Sequence, residues 1–239
     1  IWKGLVGSEM CIRDRIIGFD ADDTLWENEV FFHQAQMKFI ELHPHIKDPE
    51  EVIFQIEKEN IKFYGYGIKG FILSLLEASV RFSNNQTDFQ NIDKIIKTGK
   101  DMLAQTIQLL PEVEETLRHL SEHYMLIMIT KGDLLDQQRK VKESGLLKYF
   151  SLIEIVSEKD EQTYLEILEK NNISPKDFLM VGNSLKSDVL PVRNIGGTGI
   201  YIPHKLTWKH EEVDSTFDLE RVVELKTISA LKVWLKNQI

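Results

Sequence analysis

Short apolar runs alternate with amphipathic helical stretches from residue 111 to residue 203, and this alternation limits the folds open to the chain. The runs at 125–129 and 178–181 are apolar throughout, as in strands buried on both faces of a parallel sheet. The predicted strands are 125–129, 151–156, 178–181 and 198–202, and the predicted helices before and between them are 111–123, 133–144, 161–170 and 187–194. Such alternation indicates right-handed βαβ units and predicts an α/β fold with a Rossmann-like parallel sheet core.

A helical block separates this alternating part from a first predicted strand at 16–19. Its first apolar residues recur at helical spacing and stop before Pro44; they are Phe31, Phe32, Ala35, Phe39 and Leu42. Further helices are predicted at 51–63, 70–81 and 92–109, and no strand-like run occurs between residues 30 and 110. We therefore expect an all-helical cap domain at 30–108, inserted after the first strand, and a core formed by 16–29 and 109–239.

Three carboxylates and a hydroxyl follow the first strand as Asp20, Asp22, Asp23 and Thr24. Side chains two apart in an extended chain point the same way, so we expect Asp20 and Asp22 to face one pocket. Two neighbouring carboxylates need a cation or a shared proton. A carboxylate can also act as a nucleophile toward phosphate, beside a hard ion such as Mg²⁺. The alternative is that Asp22, Asp23 and Thr24 only cap a following helix.

Further polar residues follow three other predicted strands. They are Thr130, Lys159, Asn183 and Asp188. Each has an ordinary structural explanation by itself, such as helix entry or a solvated surface charge. Ligands in open parallel sheets bind beyond the carboxyl ends of the strands. The placement of all four at strand ends predicts one site for an anion and a divalent cation.

The motif D-x-D-D-T, a strand-end Thr, a downstream Lys and G-N-S-x-x-S-D occur in the order of the four motifs of the haloacid dehalogenase superfamily. The resemblance covers residues 16 to about 202 and is to the branch with an inserted helical cap. It implies that Asp20 is the nucleophile. It also implies that Asp22 is the general acid and base, with a backbone carbonyl that binds Mg²⁺ together with the Asp20 and Asp188 carboxylates.

The same resemblance implies roles for the remaining motif residues. Thr130 would hold the phosphoryl group, with backbone N–H groups of the turn at Lys131 and Gly132, and Lys159 would neutralise the charge of Asp20 and phosphate. Asn183 departs from the family pattern, because many relatives have Asp at this position. An amide can still contact the metal site, but it removes one negative charge from it.

These expectations favour a Mg²⁺-dependent phosphatase that hydrolyses a small phosphorylated metabolite through an aspartyl-phosphate intermediate. A phosphomutase shares every motif and remains an alternative, and so does a non-catalytic phosphate-ligand binding protein. A dehalogenase is disfavoured, because displacement of a halide needs neither a proton donor at Asp22 nor a metal ligand at Asp188.

Two further segments lie where they can reach a ligand, but their residue types do not decide the matter. Tyr66 and Phe71 belong to an aromatic stretch that can line a pocket or pack between helices. His204, Trp208 and His210 follow the predicted strand at 198–202 and can touch substrate or close a loop on the core.

Composition restricts partners and location. The formal charge is -9 and the pI about 5.3, which argues against nucleic acid or an anionic membrane surface as a partner. No apolar stretch approaches the roughly 18 to 20 residues needed to cross a bilayer.

Residues 1–15 lack the periodicity of the rest, and we expect a non-native leader there; it contains the only cysteine, Cys11. A chain otherwise free of cysteine suits the cytoplasm. The sequence leaves the oligomeric state open.

Overall fold

The computed structural model describes residues 15–82, 88–206, 208–211 and 222–238. The predicted leader, including Cys11, lies outside these ranges except for Arg15. Among the described residues, no helix is both long and apolar enough to span a membrane.

The core of the structure is a parallel sheet of six strands. The strands are β1 (Ile16–Phe19), β2 (Met125–Lys131), β3 (Leu152–Val156), β4 (Phe178–Gly182), β5 (Thr198–Tyr201) and β6 (Val223–Glu224). Their order in the sheet is β3-β2-β1-β4-β5-β6. The predicted α/β fold with a parallel sheet is confirmed. The edge strand β6 was not predicted, because two residues carry no readable periodicity.

Strand β1 lies at the centre of the sheet, and its register brings the polar strand ends together. Phe19 is level with Met128 on β2 and with Val181 on β4. Successive connections leave β1 on opposite sides, and such a switch point opens a crevice at the carboxyl ends of the strands. Asp20, which follows β1, and Thr130, near the end of β2, therefore lie at the same edge of the sheet.

The first four helices that the structure describes after β1 form a helical insert with its own apolar cluster. They are α1 (Glu29–Leu42), α2 (Pro49–Tyr64), α3 (Ile68–Arg81) and α4 (Phe89–Leu103). The buried residues of this cluster, which include Phe39, Ile53 and Leu75, all lie between 35 and 102. This separate cluster favours the cap domain predicted at 30–108, whose bounds stay a prediction.

The predicted helix at 92–109 is too long at its C-terminal end. Helix α4 ends at Leu103, and the chain then runs beside the segment that enters the insert. The backbone N–H of Glu27 donates to the carbonyl of Gln108 at 2.9 Å, and that of Leu110 donates to Leu25 at 3.0 Å. The two connections between core and insert are thus hydrogen-bonded to each other, which the helical spacing of apolar residues could not reveal.

The remaining helices flank the sheet. They are α5 (Val113–Ser121), α6 (Leu134–Glu143), α7 (Glu161–Lys170), α8 (Leu190–Asn194) and α9 (Ala230–Lys236). Two apolar clusters cover the sheet. One contains Phe19, Leu117 and Leu231, and the other contains Ile127 and Tyr164. Burial on both faces explains why β2 and β4 are apolar at nearly every position.

Candidate active site

Asp20 follows β1 directly and is held in a fixed orientation. Its backbone N–H donates to the carbonyl of Val181 at 2.9 Å, which continues the sheet ladder by one residue. The Thr24 hydroxyl donates to Asp20 Oδ2 at 2.8 Å, and the backbone N–H of Asn183 donates to that hydroxyl at 3.1 Å. The buried Asp20 carboxylate is therefore positioned by residues from two strand ends.

Lys159 joins the two central carboxylates. Its ammonium donates to Asp20 Oδ1 at 2.5 Å and to Asp188 Oδ1 at 2.8 Å, and only 4% of the residue is exposed. Burial alone would lower the pKa of Lys159, but the Asp188 and Asp20 carboxylates raise it well above its usual value. Lys159 thus stays charged, and one cation faces two carboxylates.

Asp188 lies in a π-helical turn, Leu185–Val189, that precedes α8. The sequence predicted an ordinary helix at 187–194. The backbone N–H of Ser184 donates to Asp188 Oδ2 at 3.0 Å. A Cβ atom on Gly182 would lie 2.1 Å from the same oxygen, so the approach of Asp188 requires glycine at the end of β4. Burial raises the pKa of Asp188, and Lys159 offsets this only in part.

Asp22 faces the same cavity as Asp20, as predicted. Three donors hold its carboxylate: Trp26 Nε1 at 2.6 Å, Lys140 Nζ at 3.0 Å and Gln137 Nε2 at 2.8 Å. Lys140 and Gln137 lie one turn apart on α6, and sequence reasoning missed both. Residues at i, i+3 spacing lie on one face of a helix, and this helix follows the strand that contains Thr130. That spacing could have indicated that both side chains face the site.

The turn after β2 contains Thr130, Lys131 and Gly132. Thr130 is 1% exposed, and its Oγ1 has no hydrogen-bond partner among the described residues. Gly132 has φ +148°, and a Cβ there would lie 2.9 Å from Gln137 Nε2. Lys131 lines the cavity, whereas Thr130 and Gly132 are not among the described residues that line it. The turn therefore contributes the Lys131 ammonium to the cavity, whereas the backbone N–H of Gly132 donates to the carbonyl of Val156 at 3.3 Å.

Glu211 is a site residue that sequence reasoning missed. Its carboxylate accepts from Lys131 Nζ at 2.5 Å and from the hydroxyls of Ser184 and Ser187. Burial opposes ionisation, but the Lys131 ammonium and the hydrogen bonds hold the pKa of Glu211 at about 2. Glu211 therefore anchors the loop after β5 to the site. A lone Glu in a loop gave no signal for this role.

The oxygen atoms around Asn183 suit a hard cation. In the amide orientation that satisfies its neighbours, Asn183 donates to Asp20 Oδ2 and to the carbonyl of Asp22, each at 3.2 Å. Two oxygens that converge on one donor position can also converge on a cation. The buried Asp188 carboxylate adds a third oxygen donor. This donor set fits Mg²⁺, which binds few protein oxygens and keeps several waters.

A cavity of about 130 Å³ lies between the helical insert and the sheet edge. The core contributes Asp20, Asp22, Lys159 and Asp188 to its wall, and the insert contributes Tyr66 and Phe71. Trp208, from the loop after β5, also lines it. Both segments whose contact with a ligand the sequence left undecided thus reach the cavity.

Direct contacts join the insert to the core around this cavity. The Tyr66 hydroxyl donates to Glu158 at 2.5 Å, and Lys69 pairs with Asp133 at 2.9 Å. His210 packs against Phe54 of the insert, with ring centroids 4.4 Å apart. The wall of the cavity is therefore continuous across the two parts.

Two carboxylates of the insert, Glu29 and Glu57, also line the cavity. Among the described residues, neither side chain has a hydrogen bond or an ion pair. Burial raises the pKa of Glu57 to about 8, and burial with the charge of Asp23 raises that of Glu29 to about 8. Both groups hold a proton near neutral pH and can donate hydrogen bonds to a ligand.

Glu57→Gln is expected to change how stability depends on pH. Since the pKa of Glu57 is 4.5 when unfolded and about 8 when folded, the folded state binds more protons between these values. Its free energy of unfolding therefore falls as pH rises from about 4.5 to 8. Glutamine does not titrate. The difference in free energy of unfolding between the variant and the parent should therefore be about 1–3 kcal/mol more in favour of the variant at pH 9 than at pH 5. Thermal unfolding at both pH values measures this difference.

Glu59→Gln is the matched control for that measurement. Glu59 lies on the same helix but is exposed and pairs with Arg81 at 3.0 Å. Its substitution should give the same difference from the parent at both pH values, within about 1 kcal/mol. A Glu57→Gln variant that behaves like Glu59→Gln would contradict a partly buried, protonated Glu57.

The fold and this cluster define an α/β enzyme with a carboxylate–lysine–carboxylate site beneath a helical insert. The family described as haloacid dehalogenase-like hydrolase matches residues 15–196. The chain belongs to the haloacid dehalogenase-like hydrolases and is a hydrolytic enzyme.

Individual relatives agree with this assignment. A haloacid dehalogenase-like family hydrolase from Xanthomonas campestris is 34% identical, with a TM-score of 0.83 and coverage of 93% of this chain and 91% of that chain. A glyceraldehyde 3-phosphate phosphatase from Pyrococcus furiosus is 24% identical over 84% of this chain and 85% of its own length. A putative beta-phosphoglucomutase from Thermotoga maritima is 20% identical, covers 94% of this chain and all of that one (100%), and shares the fold with a TM-score of 0.65.

Proposed function

We propose that this hydrolase is a Mg²⁺-dependent phosphatase that acts on a small phosphomonoester through an aspartyl-phosphate intermediate. The observation that carries the proposal is the contact of 2.5 Å between the Asp20 carboxylate and the Lys159 ammonium at the floor of the cavity. This arrangement places a fixed positive charge beside the buried carboxylate that would attack phosphorus.

Asp20 and Asp22 have complementary roles in the two steps. An Asp20 oxygen bonds to phosphorus while the bond between phosphorus and the leaving oxygen breaks. The Asp22 carboxyl donates its proton to the leaving oxygen. Water then attacks the aspartyl phosphate, Asp22 takes the proton of the water, and phosphate leaves with Asp20 restored. General acid–base catalysis of this kind contributes about 10² to 10⁴ in rate. The donors Lys140 and Gln137 hold Asp22 toward the cavity throughout.

The cations of the site stabilise the charge on the transferred phosphoryl group. Lys159 lies beside the attacking oxygen, and Lys131 lies on the wall at the end of β2. The Thr130 hydroxyl, which has no hydrogen-bond partner among the described residues, would donate to a phosphoryl oxygen that reaches the end of β2. These groups are fixed by packing before substrate arrives, which is what electrostatic stabilisation of a transition state requires.

Asp20, Asp188, Asn183 and the backbone carbonyl of Asp22 would hold Mg²⁺. A bound divalent ion neutralises negative charge on the phosphoryl oxygens. Asn183 gives this site one charge fewer than an Asp would, so we propose weaker Mg²⁺ binding than in relatives with Asp there.

The relatives support phosphate chemistry on small substrates. The Pyrococcus furiosus relative is a glyceraldehyde 3-phosphate phosphatase, and a cavity of about 130 Å³ suits a small metabolite. The similarity to a putative beta-phosphoglucomutase keeps phosphoryl transfer between substrate positions as a second candidate. We propose the cytoplasm as the location, because residues 15–239 contain no cysteine.

Phosphate release from a panel of small phosphomonoesters tests the proposal. We expect release with Mg²⁺, none after EDTA treatment, and recovery when Mg²⁺ is added in excess. Transfer of labelled phosphate to another position of the substrate, without release, would favour a mutase. Neither release nor transfer from any ester, with Mg²⁺ present, would reject both activities and favour a binding protein.

A further inference from the structure

The insert side of the active-site cavity differs in charge from its floor. Among the described residues that line the cavity, eight carry a carboxyl group and three are lysines. All three lysines belong to the core, and each already pairs with a carboxylate of the core. The pairs are Lys131 with Glu211, Lys140 with Asp22, and Lys159 with Asp20 and Asp188. The insert therefore adds carboxyl groups to the cavity without a cation to match them.

Glu29 and Glu57 are the carboxyl groups that the insert contributes to the cavity. Glu29 is the first residue of α1, Glu57 lies on α2, and both are half-buried. Burial raises the pKa of both, and the charges of Asp23, Glu57 and Asp22 raise the pKa of Glu29 further. A ligand cation beside Glu29 and Glu57 would lower both pKa values again and let the carboxyl groups ionise.

Asn60 adds a third hydrogen-bond acceptor to this wall. Its Nδ2 donates to Ser74 Oγ at 3.2 Å and to Glu77 Oε2 at 2.6 Å, which uses both amide hydrogens on α3. Asn60 lines the cavity and is 7% exposed, yet its Oδ1 has no hydrogen-bond partner among the described residues. The Ser74 hydroxyl donates to the carbonyl of Gly70 at 2.9 Å. Asn60 and Ser74 thus have no donor left for a ligand, whereas Asn60 Oδ1 can accept from one.

Two aromatic rings belong to the same wall. Phe32 and Phe71 line the cavity, and their ring centroids lie 5.1 Å apart. Phe32 follows Glu29 by three positions on α1, so its ring and the carboxyl group lie on one face of that helix. The face of an aromatic ring attracts a cation, and Lys131 Nζ lies 4.2 Å from the ring centroid of Tyr66 in this cavity. The wall therefore combines acceptors with aromatic surface, which suits an alkylammonium group.

We propose that the substrate is a phosphomonoester of an amino alcohol, whose ammonium group is recognised by Glu29, Glu57 and Asn60 Oδ1. This inference rests on the proposed phosphatase function and names the class of alcohol that the reaction releases. An ammonium group has three N–H donors for the three acceptors, and its charge is opposite to that of the insert wall. A hydroxyl in its place supplies one donor and no charge, and a carboxylate is repelled.

Two matched series of phosphate esters test this specificity. They are aminoalkyl phosphates with two to four carbons and hydroxyalkyl phosphates of the same lengths. We expect kcat/KM for the best aminoalkyl ester to exceed that for its hydroxyalkyl analogue by at least about tenfold. Glu29→Gln and Glu57→Gln should each lower this ratio at least about fivefold, because a neutral amide does not attract the ammonium charge. Glu59→Gln, at an exposed position of α2, is the matched control and should keep the ratio of the parent.

Aminoalkyl and hydroxyalkyl phosphonates of the same lengths separate recognition of the amine from the phosphatase reaction, because neither can be hydrolysed. Titration calorimetry with Mg²⁺ present measures their affinities. The parent and Glu59→Gln should bind the aminoalkyl compound at least about tenfold more tightly, and Glu57→Gln should lose most of this preference. Such a preference without phosphate release from any ester would reject the phosphatase and retain the binding of the amine.

Other outcomes would overturn the recognition of an amine. Phosphate release with equal kcat/KM for the two series, and equal affinity for the two phosphonates, would reject it and leave the proposed phosphatase intact. An amine preference that persists in both Glu29→Gln and Glu57→Gln would place the ammonium group elsewhere. Neither release from any ester nor binding of either phosphonate would reject the phosphatase and the amine site together. Circular dichroism establishes that the variants fold.

Discussion

Replacing Asp20 by Asn is expected to abolish phosphate release while leaving the fold intact. The amide has the shape of the carboxylate but cannot form the acyl phosphate, so turnover should fall by about 10⁴-fold or more. The measurement is kcat for the best ester of the panel at saturating Mg²⁺. The single carbonyl oxygen of Asn can still accept from Lys159, its amide nitrogen can donate to the Thr24 hydroxyl, and Lys159 keeps its contact with Asp188.

The melting temperature separates a chemical effect of Asp20→Asn from a folding effect. Asp93→Asn, at an exposed position of α4, is the control for the same change of charge and should keep both turnover and stability. Retained turnover in the Asp20→Asn variant would exclude the covalent mechanism. Loss of turnover with a loss of many degrees in melting temperature would mean that the carboxylate is structural.

The sequence was sufficient for the sheet and for the central residues because both depend on local patterns. Apolar runs mark strands buried on both faces, and parallel strands place their carboxyl ends at one edge. Asp20, Asp22, Lys159, Asn183 and Asp188 follow three different strands, and the structure brings them to one cavity. The roles assigned to them stay predictions, since the structure shows proximity and burial but no reaction.

Residues supplied by helices and loops could not be predicted in the same way. Lys140 reaches Asp22 from across 118 positions of chain, and Glu211 reaches Lys131 from across 80. Such contacts depend on how α6 and the loop after β5 pack, and no local periodicity encodes that. The π turn that carries Asp188 has the same origin, because its fit depends on the missing side chain of Gly182.

Lys159→Met should have the second largest effect, on stability as well as on turnover. Methionine fills a similar volume but leaves Asp20 and Asp188 buried without their cation. Removing one partner of a buried ion pair costs about 3–5 kcal/mol. For a chain of this size we expect a fall of roughly 6–20 °C in melting temperature, measured in EDTA. Turnover should fall at least about 10³-fold, because the attacking carboxylate and the phosphoryl group lose a fixed positive charge.

The pH dependence of the stability that the Lys159→Met variant loses identifies the cause of that loss. Without Lys159, nothing offsets the burial of Asp188, so the pKa of Asp188 should rise further above its unfolded value. The folded state then binds more protons and loses stability as pH increases. The deficit should therefore be small near pH 4 and largest above pH 7. Lys170→Met is the control, since Lys170 is 68% exposed and its pair with Glu154 is worth about 1 kcal/mol or less.

The change in melting temperature on adding Mg²⁺ should differ between the Lys159→Met variant and the parent. Two carboxylates that have lost their ammonium should bind a divalent cation more tightly, so Mg²⁺ should raise the melting temperature of the variant more than that of the parent. Recovered stability without recovered turnover would mean that Lys159 acts on the phosphoryl group as well as on the carboxylates. An equal response to Mg²⁺ in both proteins would contradict a metal site next to Asp20 and Asp188, because Lys159 is their shared cation in the structure.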